Sequence, residues 1–387
     1  MAFALPVEMP AHVDPPAIVA PASREVSFGR VAGAVGPGVH RVVVLVNGEE
    51  TADQDVERGR FELRIALPPR DSVVRVVAED ALGNSAGRSV ESVFGLPVAR
   101  TPTAPRPYED RTLARKIRRL TRSFPGTSGI YVENVTTGAG GAWNARARFP
   151  AASSVKIAIA IEVMRVLDAR PPPGSSLAEL LDLMLVYSDN VAANELLEWL
   201  GGSELGGAAE VNETMAALGL EDSYMYGGYV ISSAGGPPIP LTVESQPAFE
   251  GKYTTAWDLA QLHRSLYLAA RGGGPLIDDL SGSFTSRDAR FLLYVLAHSA
   301  DDGKLDRFMG SDVVVPHKAG WVFEARHDSG VVYSPDATFV VSVMTWNAAG
   351  AGASADVLAG RVAHVALRHF QAADDSFDPT AGFSLRL

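Results

Sequence analysis

The sequence predicts a multidomain protein: an N-terminal all-β sandwich, then an α/β domain in which helices flank an antiparallel sheet and enclose an all-helical subdomain. Three observations support this fold class. Short β-branched runs alternate with turn residues in the first part of the chain. A proline-rich stretch follows them. Beyond it, strand patterns lie at both ends and apolar helical patterns lie between them, which is typical of a sheet closed by terminal helices.

The composition sets limits on the protein's class. The chain has 387 residues, of which 47% are hydrophobic and 20% charged, as in globular proteins with room for two domains. A net charge of -11 argues against nonspecific binding to nucleic acid or anionic membranes, because both need a basic surface. The absence of cysteine excludes disulfides and cysteine-ligated zinc. No apolar run is long enough to span a bilayer, and the first residues do not have the pattern of a signal peptide.

Residues 1–21 are predicted to form an extended N-terminal arm, because they hold five prolines and little periodicity. Residues 22–96 are predicted to form the sandwich. The run from Val42 to Val46 is apolar and ends at an Asn47-Gly turn, and Phe61 to Leu67 alternates with period two. This pattern resembles the immunoglobulin-like modules of bacterial surface proteins. Residues 97–107 carry four prolines and are predicted to be a semi-rigid linker.

The remaining residues, 108–387, are predicted to form the α/β domain. A basic amphipathic helix is expected over 109–124, with its arginines on a solvated face. Further helices are expected over 152–169, 177–187, 190–200 and 354–370, and strands over 129–135, 141–147, 313–315, 328–334 and 337–346.

Ser153 and Lys156 are the first candidates for catalysis. If the helix begins near Ala152, Ser153 lies in its first turn and Lys156 follows on the same face. A neutral lysine can take the proton of a serine hydroxyl, and burial beside a second cation favours the neutral form. The helix N-terminus supplies N–H groups for a developing oxyanion. The spacing alone also fits an ordinary capped helix.

Two further motifs follow in order, Ser188-Asp-Asn between apolar helices and Lys318-Ala-Gly late in the chain. Ser-x-x-Lys, Ser-Asp-Asn and Lys-Thr-Gly together are the motif set of class A β-lactamases and penicillin-binding proteins. The segments 183–197 and 253–262 also look like that family around its second motif and after its Ω-type loop. Residues from about Tyr108 to Phe370 therefore resemble the serine β-lactamase and penicillin-binding-protein superfamily.

The resemblance implies a catalytic role for four side chains. Ser153 would attack a carbonyl carbon and form an acyl-enzyme, with Lys156 as its base. Ser188 would relay a proton to the leaving nitrogen. Lys318 would lower the pKa of the serine–lysine pair and attract a substrate carboxylate.

The resemblance also implies a substrate-binding set. Asn190 would hold Lys156 and bind a substrate amide, and the backbone N–H groups of Ser153 and Trp321 would form the oxyanion hole. Gly320 is a further candidate for substrate binding. Ala319 stands where the family has a threonine or serine hydroxyl, which should weaken recognition of the penicillin carboxylate. Arg326 could supply a guanidinium instead.

Two departures concern the rest of the site. The interval from Ser153 to Ser188 is shorter than in typical class A β-lactamases, so the cleft is expected to be more open on that side. The family's Glu-x-x-Leu-Asn deacylation motif is absent before Thr254. Glu244 is the candidate for a deacylation base in its place, with Glu250 the other nearby carboxylate; a solvated loop position suits either residue as well. Without a base, the acyl-enzyme would turn over slowly.

The predicted function is a serine hydrolase with an acyl-serine intermediate, in the first instance a class A-like β-lactamase. The alternatives are a D-alanyl-D-alanine carboxypeptidase or esterase, or a penicillin-binding module that acylates without efficient deacylation. The expected partner is a small-molecule or peptide substrate, β-lactam or peptidoglycan-like. We expect no cofactor. We also expect no metal, because His364 and His369 miss the i,i+4 spacing of a helical metal pair. The resemblance implies an extracytoplasmic location, and the natural substrate and oligomeric state stay open.

Overall fold

The computed structural model describes residues 13–97, 106–229, 236–243, 245–280 and 283–374. The chain divides into two compact units, Met1–Val98 and Ala99–Leu387. Among the helices within these described ranges, none has both the length and the apolar character needed to cross a bilayer.

The first unit is all-β, as predicted. Its strands are β1 (Ala17–Ala20), β2 (Glu25–Ser27), β3 (Arg30–Ala34), β4 (Val39–Val46), β5 (Glu49–Asp55), β6 (Arg60–Arg64), β7 (Asp71–Asp80) and β8 (Ser85–Gly95). They form a three-stranded sheet, β1-β3-β6, and a five-stranded sheet, β2-β8-β7-β4-β5. Val31 and Phe61 of the first sheet share a core with Val44 and Val76 of the second, so the two sheets pack as a sandwich.

One strand lies where the sequence predicts a loose arm. Residues Ala17–Ala20 form β1, which pairs antiparallel with β3. These four residues are extended, as in the predicted arm, but they are paired with the sandwich rather than loosely attached. The proline content of the segment reflects the residues that flank β1, since none of the prolines lies inside the strand.

The second unit is built on a six-stranded sheet with the order β14-β15-β16-β10-β11-β9. Its strands are β9 (Tyr108–Glu109), β10 (Thr127–Asn134), β11 (Ala139–Trp143), β14 (His317–Trp321), β15 (Ala325–Tyr333) and β16 (Thr338–Trp346). A separate two-stranded ribbon joins β12 (Arg148–Pro150) to β13 (Tyr253–Thr255). The predicted strand over 313–315 is reduced to a single bridge between Val314 and Tyr333.

Some helices of the second unit cover both faces of this sheet, and others form an all-helical part beside it. They are α1 (Arg111–Thr121), α2 (Lys156–Val166), α3 (Ser176–Val186), α4 (Asn190–Gly201), α5 (Glu204–Ala217), α6 (Ala256–Ala270), α7 (Pro275–Asp278), α8 (Ser286–Ala297) and α9 (Gly352–Asp374). Successive strand residues point to opposite faces. Val332 of β15 lies in the core formed with α1 and α9, whereas Ser329 bonds to His263 of α6 on the other face.

The helices α2 to α5 form the all-helical part of the unit. Helix α2 is buried from Lys156 to Met164, and this stretch includes the side chain of Glu162. A buried carboxylate needs hydrogen-bond partners. Glu162 accepts hydrogen bonds from Arg165 at 2.7 Å and from the hydroxyl of Thr214 on α5 at 2.5 Å. These contacts fix α2 against α5 and thereby set the direction from which the start of α2 meets the sheet.

Candidate active site

Ser153 lies in the turn that leads into α2. Residues 152–155 form turns and the helix begins at Lys156, so the prediction that Ser153 lies inside the first helical turn is wrong. Ala152 adopts a left-handed φ of 46°, which bends the chain before the helix. The N–H of Lys156 still donates to the carbonyl of Ser153 at 3.2 Å, so the two side chains keep a one-turn spacing.

Lys156 is a fully buried lysine held by three acceptors. Its Nζ donates to the carbonyl oxygens of Ser188 at 2.6 Å and of Asp189 at 3.1 Å, and to Oδ1 of Asn190 at 2.7 Å. All three come from the loop between α3 and α4, where Asp189 also caps α4 through a bond from the N–H of Ala192. The second motif is therefore in direct contact with the lysine of the first.

Lys318 brings the third motif to the second. Its Nζ donates to Oγ of Ser188 at 3.0 Å and to the carbonyl of Ala319 at 2.9 Å. Ser188 has a left-handed φ of 59°, which lets its carbonyl face Lys156 while its hydroxyl faces Lys318. Lys318-Ala-Gly lies within β14, and β15 follows it in the chain, whereas the sequence pattern predicted no strand over residues 317–321.

Gly320 is the place where β14 approaches the start of α2. A Cβ on this glycine would lie 2.7 Å from the backbone N of Ser153 and 2.6 Å from that of Ser154. Real side chains do not pack this closely, so glycine is required at this point. The backbone N–H groups beside the candidate nucleophile therefore lie against the strand that carries Lys318.

Burial shifts both lysines towards the neutral form. Burial, reinforced by the charge of Lys318, lowers the pKa of Lys156 to about 7. Burial lowers the pKa of Lys318 to about 8, against the opposing pull of Asp301 and Asp328. Near neutral pH the site can hence hold a neutral Lys156 beside a charged Lys318, which is the charge arrangement that activation of a serine requires.

A cluster of buried polar side chains around His317 and Asp328 stabilises β14. His317 Nδ1 lies 2.8 Å from Oδ1 of Asp328, whose Oδ2 accepts the N–H of Leu305 at 3.1 Å. The pKa of His317 is raised: burial lowers it, but the charge of Asp328 and its hydrogen bond outweigh that effect. Lys304 forms an ion pair with Asp301. His317 is therefore part of an ion pair that fixes the strand next to Lys318.

The structure places Arg326 opposite Trp321 in the β14–β15 ladder, on the other face of the sheet from Lys318. The Nε of Arg326 is 3.2 Å from Oδ1 of Asp356 on α9. It therefore lies on the sheet face that packs against α9. Trp321 ends β14 immediately after Gly320, and 63% of its surface is exposed. A role for Arg326 in binding a carboxylate stays a prediction.

Tyr229 and Lys252 lie beside Lys156, and neither residue belongs to a motif that the sequence shows. The centre of the Tyr229 ring is 4.6 Å from the Nζ of Lys156 and 4.6 Å from that of Lys252. Glu244, the candidate deacylation base, lies outside the described residues. Glu250 is exposed, and its backbone forms an isolated β-bridge with Pro238. The only sequence signal for Tyr229 was its place in a segment rich in glycine and tyrosine.

The candidate metal ligands do not converge. His364 bonds to the carbonyl of Phe308 and His369 to Asp110, on different sides of α9. Within the described ranges, no group of three histidine, aspartate or glutamate side chains is placed to hold a metal ion.

Comparison with known proteins gives one family and a consistent fold. The model of the β-lactamase enzyme family matches residues 112–171 and 166–370. The solved structure of PBP-A is 22% identical, with a TM-score of 0.55, and the match covers 70% of this chain and all of that one. A class A β-lactamase from Mycobacterium abscessus is 21% identical, with a TM-score of 0.52, over 67% of this chain and 99% of that one. No curated protein matches the chain significantly.

Proposed function

Because the chain belongs to the β-lactamase enzyme family, we propose that it is a serine hydrolase that forms an acyl-enzyme on Ser153, and in the first instance a class A-like β-lactamase. The observation that carries this proposal is the pair of contacts from Lys156 to Asn190 and from Lys318 to Ser188, formed directly beside the turn of Ser153. Residues from three distant segments meet there with the hydroxyl, amine and amide groups that acyl transfer needs.

Acylation in this site begins with a neutral Lys156. The amine takes the hydroxyl proton of Ser153 while Oγ bonds to the carbonyl carbon of the substrate. The C–N bond then breaks, and the leaving nitrogen takes the proton of the Ser188 hydroxyl. The Lys318 ammonium, 3.0 Å from that oxygen, can replace the proton. The oxyanion would form next to the Ser153 and Trp321 N–H groups, and a donor of this kind is worth about 3–4 kcal/mol.

The substrate is proposed to carry a carboxylate. Lys318 supplies the cation that would attract it, whereas Ala319 has no hydroxyl to bind it and Arg326 is paired with Asp356. Recognition would therefore depend on charge more than on directed hydrogen bonds. Benzylpenicillin-like compounds and peptides ending in D-alanyl-D-alanine both have the required carboxylate and scissile amide.

A second candidate function is a penicillin-binding protein of the D-alanyl-D-alanine carboxypeptidase or esterase type that releases its acyl group slowly. One observation favours it. The ring of Tyr229 lies beside Lys156, and in the described part of the chain no carboxylate makes a hydrogen bond to this lysine. An acyl-enzyme without a base to activate water is long-lived.

One experiment tests the proposal and separates the two candidates. The protein is mixed with a chromogenic cephalosporin while product release and intact mass are followed. Many turnovers per protein support the β-lactamase, and a stable adduct supports the penicillin-binding protein. Ser153→Ala should abolish both signals. Ser154→Ala is the matched control, because that hydroxyl is buried and bonds to the carbonyl of Ala151. Activity that survives in Ser153→Ala would show that the nucleophile is another residue.

For the first unit, we propose an immunoglobulin-like accessory module over residues 22–96, joined through a linker at 97–107 to a hydrolase domain at 108–387. The two packed sheets and their shared valine-rich core support it. Measuring acylation by the chain with and without this module would show whether it contributes to the reaction.

A further inference from the structure

The surroundings of Lys156 differ on its two sides. On one side, the loop between α3 and α4 supplies the acceptors for its Nζ. On the other side, Nζ meets the ring of Tyr229, 4.6 Å from the ring centre. The hydroxyl of Tyr229 is buried and has no hydrogen-bond partner among the residues that the structure describes. An aromatic ring therefore occupies space next to the candidate base that a water molecule would otherwise reach.

Tyr229 is held from both directions. Its backbone N–H donates to Oδ1 of Asn194 at 2.6 Å, and Asn194 in turn donates to Glu204 at 2.7 Å. Lys252 donates to the carbonyl of Gly228, and its Nζ lies 4.6 Å from the centre of the Tyr229 ring. These contacts tie the residue to α4, to α5 and to the segment before β13.

Lys252 also links this loop to the nucleophile. Its carbonyl accepts the N–H of Ala151 at 2.9 Å, two residues before Ser153. Lys252 thus contacts two segments near Lys156. Its side chain binds the loop that carries Tyr229, and its backbone binds the segment before Ser153. Movement of the Tyr229 ring would break its contacts with the Nζ atoms of both Lys156 and Lys252.

Deacylation needs a water molecule in this region. The oxygen of water bonds to the acyl carbon, the bond from that carbon to Oγ of Ser153 breaks, one proton of water passes to a base, and Ser153 regains a proton through that base. The phenol cannot serve as the base near neutral pH, because burial raises the pKa of Tyr229 far above its ordinary value. The ring can exclude water but cannot activate it.

We propose that Tyr229, held in place by Lys252, fills the position beside Lys156 from which water would attack the acyl-enzyme, and so makes deacylation the slow step. The inference rests on the proposed acyl-enzyme at Ser153, and it favours the second candidate function, the slowly deacylating penicillin-binding protein, over the β-lactamase. Tyr229 is a positioning residue in this account: it acts by shaping the space around Lys156 and does not exchange protons. The natural reaction is then one in which the acyl group persists, or leaves when an acceptor other than bulk water enters the cleft.

The test measures formation and loss of the adduct separately. The wild type, Tyr229→Ala and Tyr229→Phe are acylated with a chromogenic cephalosporin, excess reagent is removed, and the decay of the Ser153 adduct is followed by intact mass. We expect Tyr229→Ala to shorten the adduct lifetime by at least about tenfold, while its acylation rate changes much less. Tyr229→Phe keeps the ring and should keep the wild-type lifetime. Tyr226→Ala, at an exposed tyrosine of the same loop, is the control for loosening of the loop.

A second variant covers the case in which Tyr229→Ala fails to fold. Tyr229→Glu places a carboxylate, which can act as a base for water, near the Nζ atoms of Lys156 and Lys252 and should also shorten the lifetime. Equal lifetimes in the wild type, Tyr229→Ala and Tyr229→Glu would overturn the proposal, as would a wild type that deacylates as fast as the variants. If the wild type forms no adduct and releases no product, the proposed function itself fails. That outcome is distinct from an adduct whose lifetime ignores Tyr229.

Discussion

Lys156 combines two opposing requirements in one side chain. Its three acceptors are those that suit an ammonium group, yet burial and the nearby charge of Lys318 bring its pKa down to about 7. The two lysines are coupled, because the proton on one disfavours the proton on the other. The state with Lys156 neutral and Lys318 charged is therefore populated over a narrow range of pH.

Acylation should consequently have a narrow pH optimum. Below a pH of about 7 the rate should fall as Lys156 becomes protonated and cannot accept the Ser153 proton. Above about 8 it should fall again as Lys318 loses the charge that attracts the carboxylate. The measurement is the second-order rate constant for formation of the Ser153 adduct across this range. Lys318→Arg, which stays charged, should remove the alkaline fall. A profile that keeps rising through the alkaline range would contradict this assignment.

Single residues were predictable from the sequence to different degrees. Ser153, Lys156, Ser188 and Lys318 stand in short motifs whose order could be read directly, and the structure brings them into one place. Tyr229 could not be found in this way. It lies in an irregular loop, where neither helical nor strand periodicity indicates which side chain faces the interior.

Between elements, the decisive contact is that of β14 with the start of α2. The strand comes so close that Gly320 leaves no room for a Cβ against the backbone of Ser153 and Ser154. On the other side of β14, the ladder to β15 and the His317–Asp328 pair keep the strand from moving away. The backbone amides of the nucleophile turn and the side chain of Lys318 are thus held in one register.

Replacing Gly320 should damage the reaction more than the fold. In Gly320→Ala, the added methyl group must displace either the strand or the Ser153 turn, which should lower the acylation rate by about a hundredfold. Overpacking of this kind is expected to destabilise the protein by about 1–3 kcal/mol. Stopped-flow acylation and urea unfolding measure the two effects.

Gly273→Ala is the matched control for Gly320→Ala. A Cβ there would have its nearest neighbouring atom, Oδ2 of Asp278, at 3.9 Å. This variant should therefore keep both the rate and the stability of the wild type. If Gly320→Ala acylated as fast as Gly273→Ala, the close approach of β14 would have no part in the reaction.

Element type was more predictable than element position. The amphipathic pattern of α1 and the alternation of the sandwich strands are local properties, and both elements form where expected. The start of α2 is not local, because the left-handed Ala152 and the contact with Gly320 delay the helix beyond Ser153. The strand that contains Lys318 is not a local property either. Residues 317–321 form β14 because they pair with β15, and no pattern within these five residues indicates a strand.

For the whole molecule, buried histidines link stability to pH. His327 of β15 is neutral in the fold: its Nε2 lies 2.7 Å from the carbonyl of Pro150, and its Nδ1 accepts the N–H of Thr345 at 3.1 Å. Burial lowers the pKa of His327 to about 4 and that of His263 to about 3. Protonation of either would place an uncompensated charge inside the second unit.

The protein should therefore lose stability in mild acid. Unfolded histidine has a pKa of about 6.5, so below that pH the unfolded chain binds protons that the folded chain excludes. Each of the two residues should lower the free energy of unfolding by about 1.4 kcal/mol per pH unit until its folded pKa is reached. His317 acts in the opposite direction, because its raised pKa contributes stability that is present in acid and lost as the pH rises.

Urea unfolding of the wild type and His327→Asn across the acid range measures this dependence. The variant should lose one histidine's share of the slope, about 1.4 kcal/mol per pH unit. An unchanged slope in His327→Asn would show that His327 binds protons equally well in the folded and in the unfolded chain.

The fold class itself was predictable because each unit has a clear pattern of its own. The period-two runs specify the sandwich, and the strand–helix–strand order specifies the sheet with helices on both faces. The internal pairing of the sheet was not predictable, since β10 lies beside β16 from the far end of the chain. Such pairing depends on which faces can be buried together, and this is decided by the whole unit.

The left-handed backbone of Ser188 is a strained conformation at a residue that is proposed to take part in the reaction. A non-glycine residue at a φ of 59° costs about 1–2 kcal/mol relative to its preferred conformations. Two lysines hold the residue there, one by its carbonyl and one by its hydroxyl. Selection for thermostability alone would thus tend to replace this serine with glycine, and a lineage stabilised in this way would lose the hydroxyl that is proposed to relay the proton.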